Sequence, residues 1–419
     1  MPHVTDLTCL VCGKRYAPDK VAYVCPDHGD EGVLSVNYDY DAIGREVSPE
    51  ALARVGDPTM WRYRALLPVA TGADLPPLTV GGTPLYRSKA LGASLGLSRL
   101  WVKDEGRQPT ASLKDRASAL AVVKAQEKGA RVITTASTGN AAAALAGVCA
   151  SVGQKCVIFV PANAPEAKIA QLLAFGAEVV LVTGSYDQAV ALCLIAARTY
   201  GWYNRTTGFN PYMTEGKKTV AYEICEQLDW RAPERVFVSV GDGCIIGGLH
   251  KGFADLLALG WIERLPRLMG VQAEGSSYLF DAWRKGEDAL NKPAIEAKTV
   301  ADSIGAGLPR DRLKAMAAVK ATDGAFIQVS DTEILAAIPP LAAKAGVFAE
   351  PAAAAAYAGL VKAVETGMVA ADERLVILST GSGLKDIPSA MRAVAERGIT
   401  PHRVAPALEA LKQIFAANG

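Results

Sequence analysis

A lysine with a hydroxyl two residues before it and a guanidinium two residues after it is the first group in this chain equipped for covalent chemistry. Lys114 stands in Pro109-Thr110-Ala111-Ser112-Leu113-Lys114-Asp115-Arg116. Only a neutral amine attacks a carbonyl, so a Schiff-base lysine needs helix-terminal N–H groups or nearby charges that alter its proton affinity. The plain alternative is a solvated charge early in a helix. A second group is Cys9-Leu10-Val11-Cys12 followed, after twelve residues, by Cys25-Pro26-Asp27-His28. This spacing can bring three thiolates and an imidazole to one tetrahedral zinc, with Gly13 and Gly29 after each pair as in rubredoxin-like knuckles. Four protein ligands leave no open position, so the expectation is a structural zinc, and the alternative is free thiols beside a coincidental histidine.

The lysine needs elements to hold it. Residues 100–105 read as a strand and 117–128 as a helix, which places Lys114 at a strand-to-helix junction. Three glycine-rich loops follow comparable strands. Thr135-Ala136-Ser137-Thr138-Gly139-Asn140-Ala141 comes after the strand 131–134 and opens the alanine-rich helix 141–150. Ser239-Val240-Gly241-Asp242-Gly243-Cys244-Ile245-Ile246-Gly247-Gly248 lies between the strand 235–240 and the helix 247–259. It misses the dinucleotide fingerprint, because Ile246 stands where the third glycine belongs. Ser379-Thr380-Gly381-Ser382-Gly383-Leu384-Lys385-Asp386 comes after the strand 374–378. One such loop is an ordinary turn. Three, with a candidate reactive lysine, describe a site outside the carboxyl ends of parallel strands, where helix N-termini hold carboxylates or phosphates.

These runs carry a resemblance. Ser112-Leu113-Lys114-Asp115-Arg116, Ser137-Thr138-Gly139-Asn140, Asn210-Pro211-Tyr212-Met213-Thr214-Glu215-Gly216-Lys217-Lys218-Thr219 and Thr380-Gly381-Ser382-Gly383-Leu384-Lys385-Asp386 resemble the fold-type II pyridoxal phosphate enzymes, and within them the threonine synthase branch. Gly81-Gly82-Thr83-Pro84-Leu85 and Glu350-Pro351-Ala352 echo it. The resemblance implies that Lys114 carries the cofactor as a Schiff base and moves protons at Cα and Cγ. Asn140 would hydrogen-bond the cofactor's 3′ oxygen, and Gly241, Asp242, Gly243, Cys244 and Ile245 would cradle its phosphate. Thr380 would face the pyridine nitrogen, where a hydroxyl leaves the ring a weaker electron sink than a carboxylate would. Ser137, Thr138, Gly139 and Asn140 would hold the substrate carboxylate. Two positions depart from the branch: Ala141 replaces a threonine and Met213 an arginine, both of which belong to the pocket for the phosphate of O-phosphohomoserine. Arg205 is the expected substitute. Lys217 and Lys218 could also serve, but read rather as exposed helix charges. The departures leave β-elimination (a dehydratase or ammonia-lyase) or β-replacement open beside threonine synthesis, with a non-catalytic homologue as a remote third.

Length and composition agree with an enzyme of this kind. The 419 residues are half hydrophobic, and 44 Lys+Arg against 43 Asp+Glu give a net charge of +1 with no basic run, which argues against nucleic acid. No apolar run reaches membrane length, and no charged-then-apolar leader precedes Cys9. Cys149, Cys156, Cys193, Cys225 and Cys244 read as reduced core residues, so a cytoplasmic compartment is expected. Regular strand–helix alternation predicts an α/β chain of doubly wound parallel sheets. The resemblance implies two such domains with the cofactor between them, and a homodimer. The expected division is a zinc-ribbon-like segment at 1–35, a large domain from 36–113 and 216–419, and a small mobile domain at 114–215. His250 and the six tryptophans read as packing groups, and Asp242 has a plain role in its turn.

Overall fold

The computed structural model describes residues 1–415 apart from 138, 163, 165 and 185. Three sheets organise it. At the N-terminus β1 (Val4–Cys9), β2 (Arg15–Tyr16) and β3 (Leu34–Tyr38) form an antiparallel sheet in the order β2-β1-β3. The largest sheet contains β4 (Leu85–Arg87), β5 (Arg99–Asp104), β10 (Arg235–Ser239), β11 (Arg267–Ala273), β12 (Ala325–Val329) and β13 (Arg374–Ser379). Its order is β12-β11-β10-β13-β5-β4, all parallel except the edge strand β4. The third contains β6 (Val132–Ala136), β7 (Lys155–Pro161), β8 (Glu178–Val182) and β9 (Tyr203–Asn204), parallel in the order β8-β7-β6-β9.

The central strands are covered by helices on both faces, so they read as unbroken apolar runs. Val236, Phe237 and Val238 in β10 are fully buried, as are Leu375, Val376, Ile377 and Leu378 in β13. Small residues let the helices approach closely. A Cβ on Gly359, in the alanine-rich helix Pro351–Glu365, would stand 2.3 Å from Val271 Cγ2. A Cβ on Gly216, in the helix Tyr212–Lys217, would meet the Arg116 carbonyl oxygen at 2.3 Å, so only glycine lets this helix lie against the helix Lys114–Glu127.

The chain leaves the large sheet after β5, builds the helix Lys114–Glu127 and the four-stranded sheet, and returns through the helices Tyr212–Lys217 and Thr219–Gln227 to β10. Among the described residues no helix is long and apolar enough to cross a membrane. Several details differ from the sequence expectations. The helix after β5 begins at Lys114 itself, and the helix after the second glycine loop begins at Cys244. Pro161 is the last residue of β7, since proline at a strand end forfeits no ladder bond it needs. Lys217 and Lys218 are not exposed. Both side chains are fully buried, because the helices carrying them are enclosed on all sides.

Candidate active site

Strand order explains why the loops meet. β10, β13 and β5 are neighbours, so the loop after each emerges at the same sheet edge. The segment after β5 is stitched to the loop after β13. Leu113 N–H donates to the Thr380 carbonyl at 3.0 Å, Ser382 N–H donates to the Ala111 carbonyl at 3.0 Å, and Ser112 bridges Gly381. Ala111 sits at φ +63°, a left-handed conformation that costs a non-glycine residue about 1–2 kcal/mol. The hydrogen bonds on both sides hold that strain, and Lys114 follows as the first helical residue. Asp115 accepts from the Thr110 amide at 2.7 Å and its hydroxyl at 2.5 Å, closing the turn. Burial pushes this carboxyl up to about 6.

Arg116, the guanidinium that seemed placed to act on Lys114, has a structural task instead. It is fully buried, takes Glu105 with Nε and Nη2 at 2.7 Å each, and reaches Glu223 with Nη1 at 2.6 Å. Lys103 joins Glu223 at 2.7 Å. Two cations and two carboxylates thereby fix the start of the helix.

The second glycine loop turns over its neighbours with no room for side chains. A Cβ on Gly241 would stand 2.8 Å from Ile304 Cα, and one on Gly243, at φ +91°, would stand 2.9 Å from the Asp311 carbonyl oxygen. Asp242 does brace this turn: its carbonyl accepts from Asp311 N–H at 2.8 Å and its carboxylate from Arg310 N–H at 3.3 Å. Cys244 and Ile245 then open a fifteen-residue helix whose first N–H groups lack helical partners and favour an anion.

Asn140 opens the helix Asn140–Ser151 and lies on the third sheet's loop, with Ser137 Oγ accepting from Gly139 N–H at 3.2 Å. Thr138 lies outside the described residues. Asn140 Nδ2 donates to Glu350 Oε1 at 2.6 Å, leaving the amide's second N–H for another acceptor. Glu350 lies against Gly381, where a Cβ would meet its Oε1 at 2.4 Å. Burial pushes the Glu350 carboxyl up to about 7, against the opposing pull of the Lys385 ammonium and the Asn140 bond.

Two cations complete the site. Arg205 is buried, with Nε donating to Ser118 Oγ and Nη1 to Thr207 Oγ1, both at 3.2 Å, and with Nη2 unpartnered among the described residues. Ser118 is one helical turn beyond Lys114 on the same face, so Arg205 lies beneath that face. Lys217 is fully buried, and its Nζ has no hydrogen bond among the described residues. Burial pushes it down to about 8, Lys114 and Arg205 adding to the effect while Cys244 and Asp311 oppose it. Burial likewise pushes Arg205 down to about 10. Lys218 is different: it pairs with Glu215 at 2.6 Å and Asp255 at 2.8 Å. His250 is half-buried beside Lys251 and stays a packing residue.

The sequence offered Lys217 only as a secondary substitute for the missing arginine, and gave Glu350 no role in the site. For Lys217 the signal was Gly216, since a glycine inside a helix marks close approach by another element. Glu350 had only its following proline, which merely starts a helix.

Comparison with known proteins matches this geometry. Residues 77–381 match the family model of the pyridoxal-phosphate dependent enzymes. A threonine synthase of Methanocaldococcus jannaschii is 39% identical over 97% of this chain and 98% of its own length. The chain belongs to the pyridoxal-phosphate dependent enzyme family. A threonine synthase of Methanosarcina acetivorans is 39% identical over 91% of the chain, and one of Mycobacterium tuberculosis is 36% identical over 79%. Among solved structures, threonine deaminase isoform 2 from Solanum lycopersicum has a TM-score of 0.63 at 22% identity over 76% of this chain and 88% of its own. Diaminopropionate ammonia lyase from Escherichia coli has a TM-score of 0.64 at 19% identity, over 78% and 89%. Those two share the fold of this pyridoxal-phosphate dependent enzyme. The cofactor suits the groups present: glycines that admit no Cβ around a helix N-terminus, an Asn140 amide with one N–H to spare, and buried cations whose Arg205 Nη2 and Lys217 Nζ have no hydrogen bond among the described residues.

Proposed function

We propose that this chain is a threonine synthase, converting O-phospho-L-homoserine and water to L-threonine and phosphate. The observation that carries this reading is the 39% identity to a threonine synthase over 97% of the chain. The uncompensated cations Arg205 and Lys217 support it. A buried cation without a counterion is costly, and a phosphorylated substrate supplies one. They also answer the departures at Ala141 and Met213, the latter a buried methionine that offers a phosphate nothing.

Pyridoxal phosphate, when bound, supplies an electron sink that makes the substrate's Cα protons acidic. The chain's own groups take these tasks. Lys114 attaches the cofactor and carries protons at Cα and Cγ. Asn140 would donate its second N–H to the cofactor's ring oxygen, while Glu350 holds the first. The N–H groups of Gly241, Asp242, Gly243, Cys244 and Ile245 would hold the cofactor phosphate, and Thr380 would serve the ring nitrogen. Ser137, Thr138, Gly139 and the N-terminus of the helix Asn140–Ser151 hold the substrate carboxylate. Arg205 and Lys217 hold the leaving phosphate. In the same reading residues 114–215 move as a small lobe against 36–113 and 216–419, and the enzyme works as a cytoplasmic homodimer.

The test is phosphate release from O-phospho-L-homoserine by the cofactor-loaded protein, with amino-acid analysis. Phosphate and threonine in equal amounts are expected. No release from a visibly loaded protein would overturn the assignment and turn attention to β-elimination on serine, threonine and phosphoserine.

A further inference from the structure

The N-terminal sheet brings together four groups that the reaction does not use. Cys9 ends β1, Cys12 lies on the turn before β2, and Cys25 and His28 lie on the turn before β3. Their ligand atoms all fall within 4.8 Å of one another, although the two pairs are twelve residues apart. Each pair sits on a tight turn. Gly13 N–H donates to the Cys9 carbonyl at 2.9 Å and His28 N–H to the Cys25 carbonyl at 3.1 Å, and Gly13 and Gly29 take φ +73° and +52°. Val11 N–H points at Cys9 Sγ at 3.4 Å and the Tyr16 hydroxyl lies 3.0 Å from Cys25 Sγ, contacts that orient and stabilise thiolates. Three sulfurs and one imidazole, converging with no fifth His, Cys or carboxylate group among the described residues, match a closed tetrahedral site for zinc.

The same turn reaches the cofactor loop. Directly after His28, Glu31 pairs with Arg312, and Asp30 pairs with Arg198 at 2.8 Å. Arg312 is almost fully buried and follows Asp311, whose N–H donates to the Asp242 carbonyl and whose own carbonyl lies under Gly243. One continuous path thus runs from the metal ligand His28 through Glu31, Arg312 and Asp311 to the phosphate loop.

We propose that Cys9, Cys12, Cys25 and His28 bind one zinc ion, and that this zinc braces the cofactor phosphate loop through Glu31 and Arg312. Ligation fixes the turn carrying Glu31, and that carboxylate then holds Arg312 and the start of its helix in place. The bracing rests on assigning 241–245 to the cofactor phosphate, whereas the metal site does not depend on the reaction catalysed.

The test uses the full-length protein and two readouts: metal content by plasma mass spectrometry, and pyridoxal phosphate affinity by absorbance titration of the apoprotein. One zinc per chain is expected. Cys12→Ser, at the exposed ligand, should lose zinc and weaken cofactor binding about three- to tenfold. Glu31→Gln touches no ligand; it should keep its zinc and weaken cofactor binding similarly. Iron, or no metal, in the wild-type protein would overturn the zinc site. Unchanged cofactor affinity in Glu31→Gln with zinc retained would overturn the bracing, whatever becomes of Cys12→Ser. A wild-type protein with zinc that binds no pyridoxal phosphate would instead overturn the phosphate-loop assignment and the bracing with it.

Discussion

Two adjacent lysines show how burial alone does not define a role. Lys218 sits between Glu215 and Asp255, and its ammonium lies 4.0 Å from the centre of the Tyr38 ring. Its charge is matched within the fold. Lys217 is equally buried and has no hydrogen bond or ion pair among the described residues, with Asp311 compensating it only at longer range, so an arriving anion gives it its direct partner. Inorganic phosphate should therefore raise the unfolding midpoint of the protein loaded with pyridoxal phosphate, whose phosphate loop is already filled; occupancy at a hundredfold over Kd corresponds to about 2.7 kcal/mol. Lys217→Met should abolish most of that response, stabilise the ligand-free protein by about 1–2 kcal/mol, and raise KM for phosphohomoserine at least tenfold. An undiminished phosphate response in Lys217→Met would remove the lysine from the site. Glu350 makes an opposite titration. Its folded value is raised to about 7 from 4.5, so the apoprotein binds its proton more tightly than the unfolded chain does. Its contribution to stability is full below pH 4.5 and is lost as pH rises through 7. Urea unfolding of apoprotein should show this loss in the wild type, and Glu350→Gln should flatten it. Lys114→Ala should keep the fold, lose the bound cofactor's absorbance and lower turnover at least a thousandfold, which absorbance and steady-state kinetics would check together.

At the scale of elements, the site depends on one helix being held at its first turn. Arg116 clamps the helix Lys114–Glu127 to Glu105 on the segment after β5 and to Glu223 on the helix Thr219–Gln227. Removing one partner leaves buried cations unpaired. Glu223→Ala should cost about 3–5 kcal/mol in urea unfolding, and a loss under 1 kcal/mol would mean that Lys103 and Arg116 reach water or another partner. Elements of this kind were legible where one strand and one loop sufficed to specify them. The strand before Lys114, the three glycine loops and the alanine-rich helices follow from local composition. What was not legible is what depends on strand order. Nothing local says that β13 lies between β10 and β5, which alone makes Thr380 a neighbour of Leu113. The buried pair Lys217 and Lys218 was misread for a related reason: two lysines in a helix look solvated until every surrounding element is known. The short strands β4 and β9 carry too few residues to show a period.

At the scale of the molecule, the proposed closure has a surface link besides the buried bond from Asn140 to Glu350. Lys168, on the helix Glu166–Ala174 beside the four-stranded sheet, pairs with Asp302 on the segment that packs under Gly241. Ser303, next along, has its Oγ 3.7 Å from where a Cβ on Gly139 would stand, so the segment spans from the phosphate loop to the carboxylate-binding loop. The Asp302 carboxylate is about half exposed, and such pairs contribute roughly 0–1 kcal/mol and weaken with salt. In the proposed closure, that magnitude suits a latch that reopens after each turnover, because a stronger pair would slow product release. Asp302→Ala should therefore leave stability within about 0.5 kcal/mol of the wild type and raise KM two- to fivefold, since 1 kcal/mol is about fivefold in affinity. The deficit should shrink as ionic strength rises, because salt weakens the wild-type pair and has no such pair to act on in the variant. Steady-state kinetics at about 0.05 M and 1 M salt, where the screening length falls from above 10 Å to about 3 Å, would decide it. A fall in kcat with KM unchanged, at both salt concentrations, would place Asp302 in the chemistry rather than in closure, and the latch would have to be sought elsewhere along the lobe boundary.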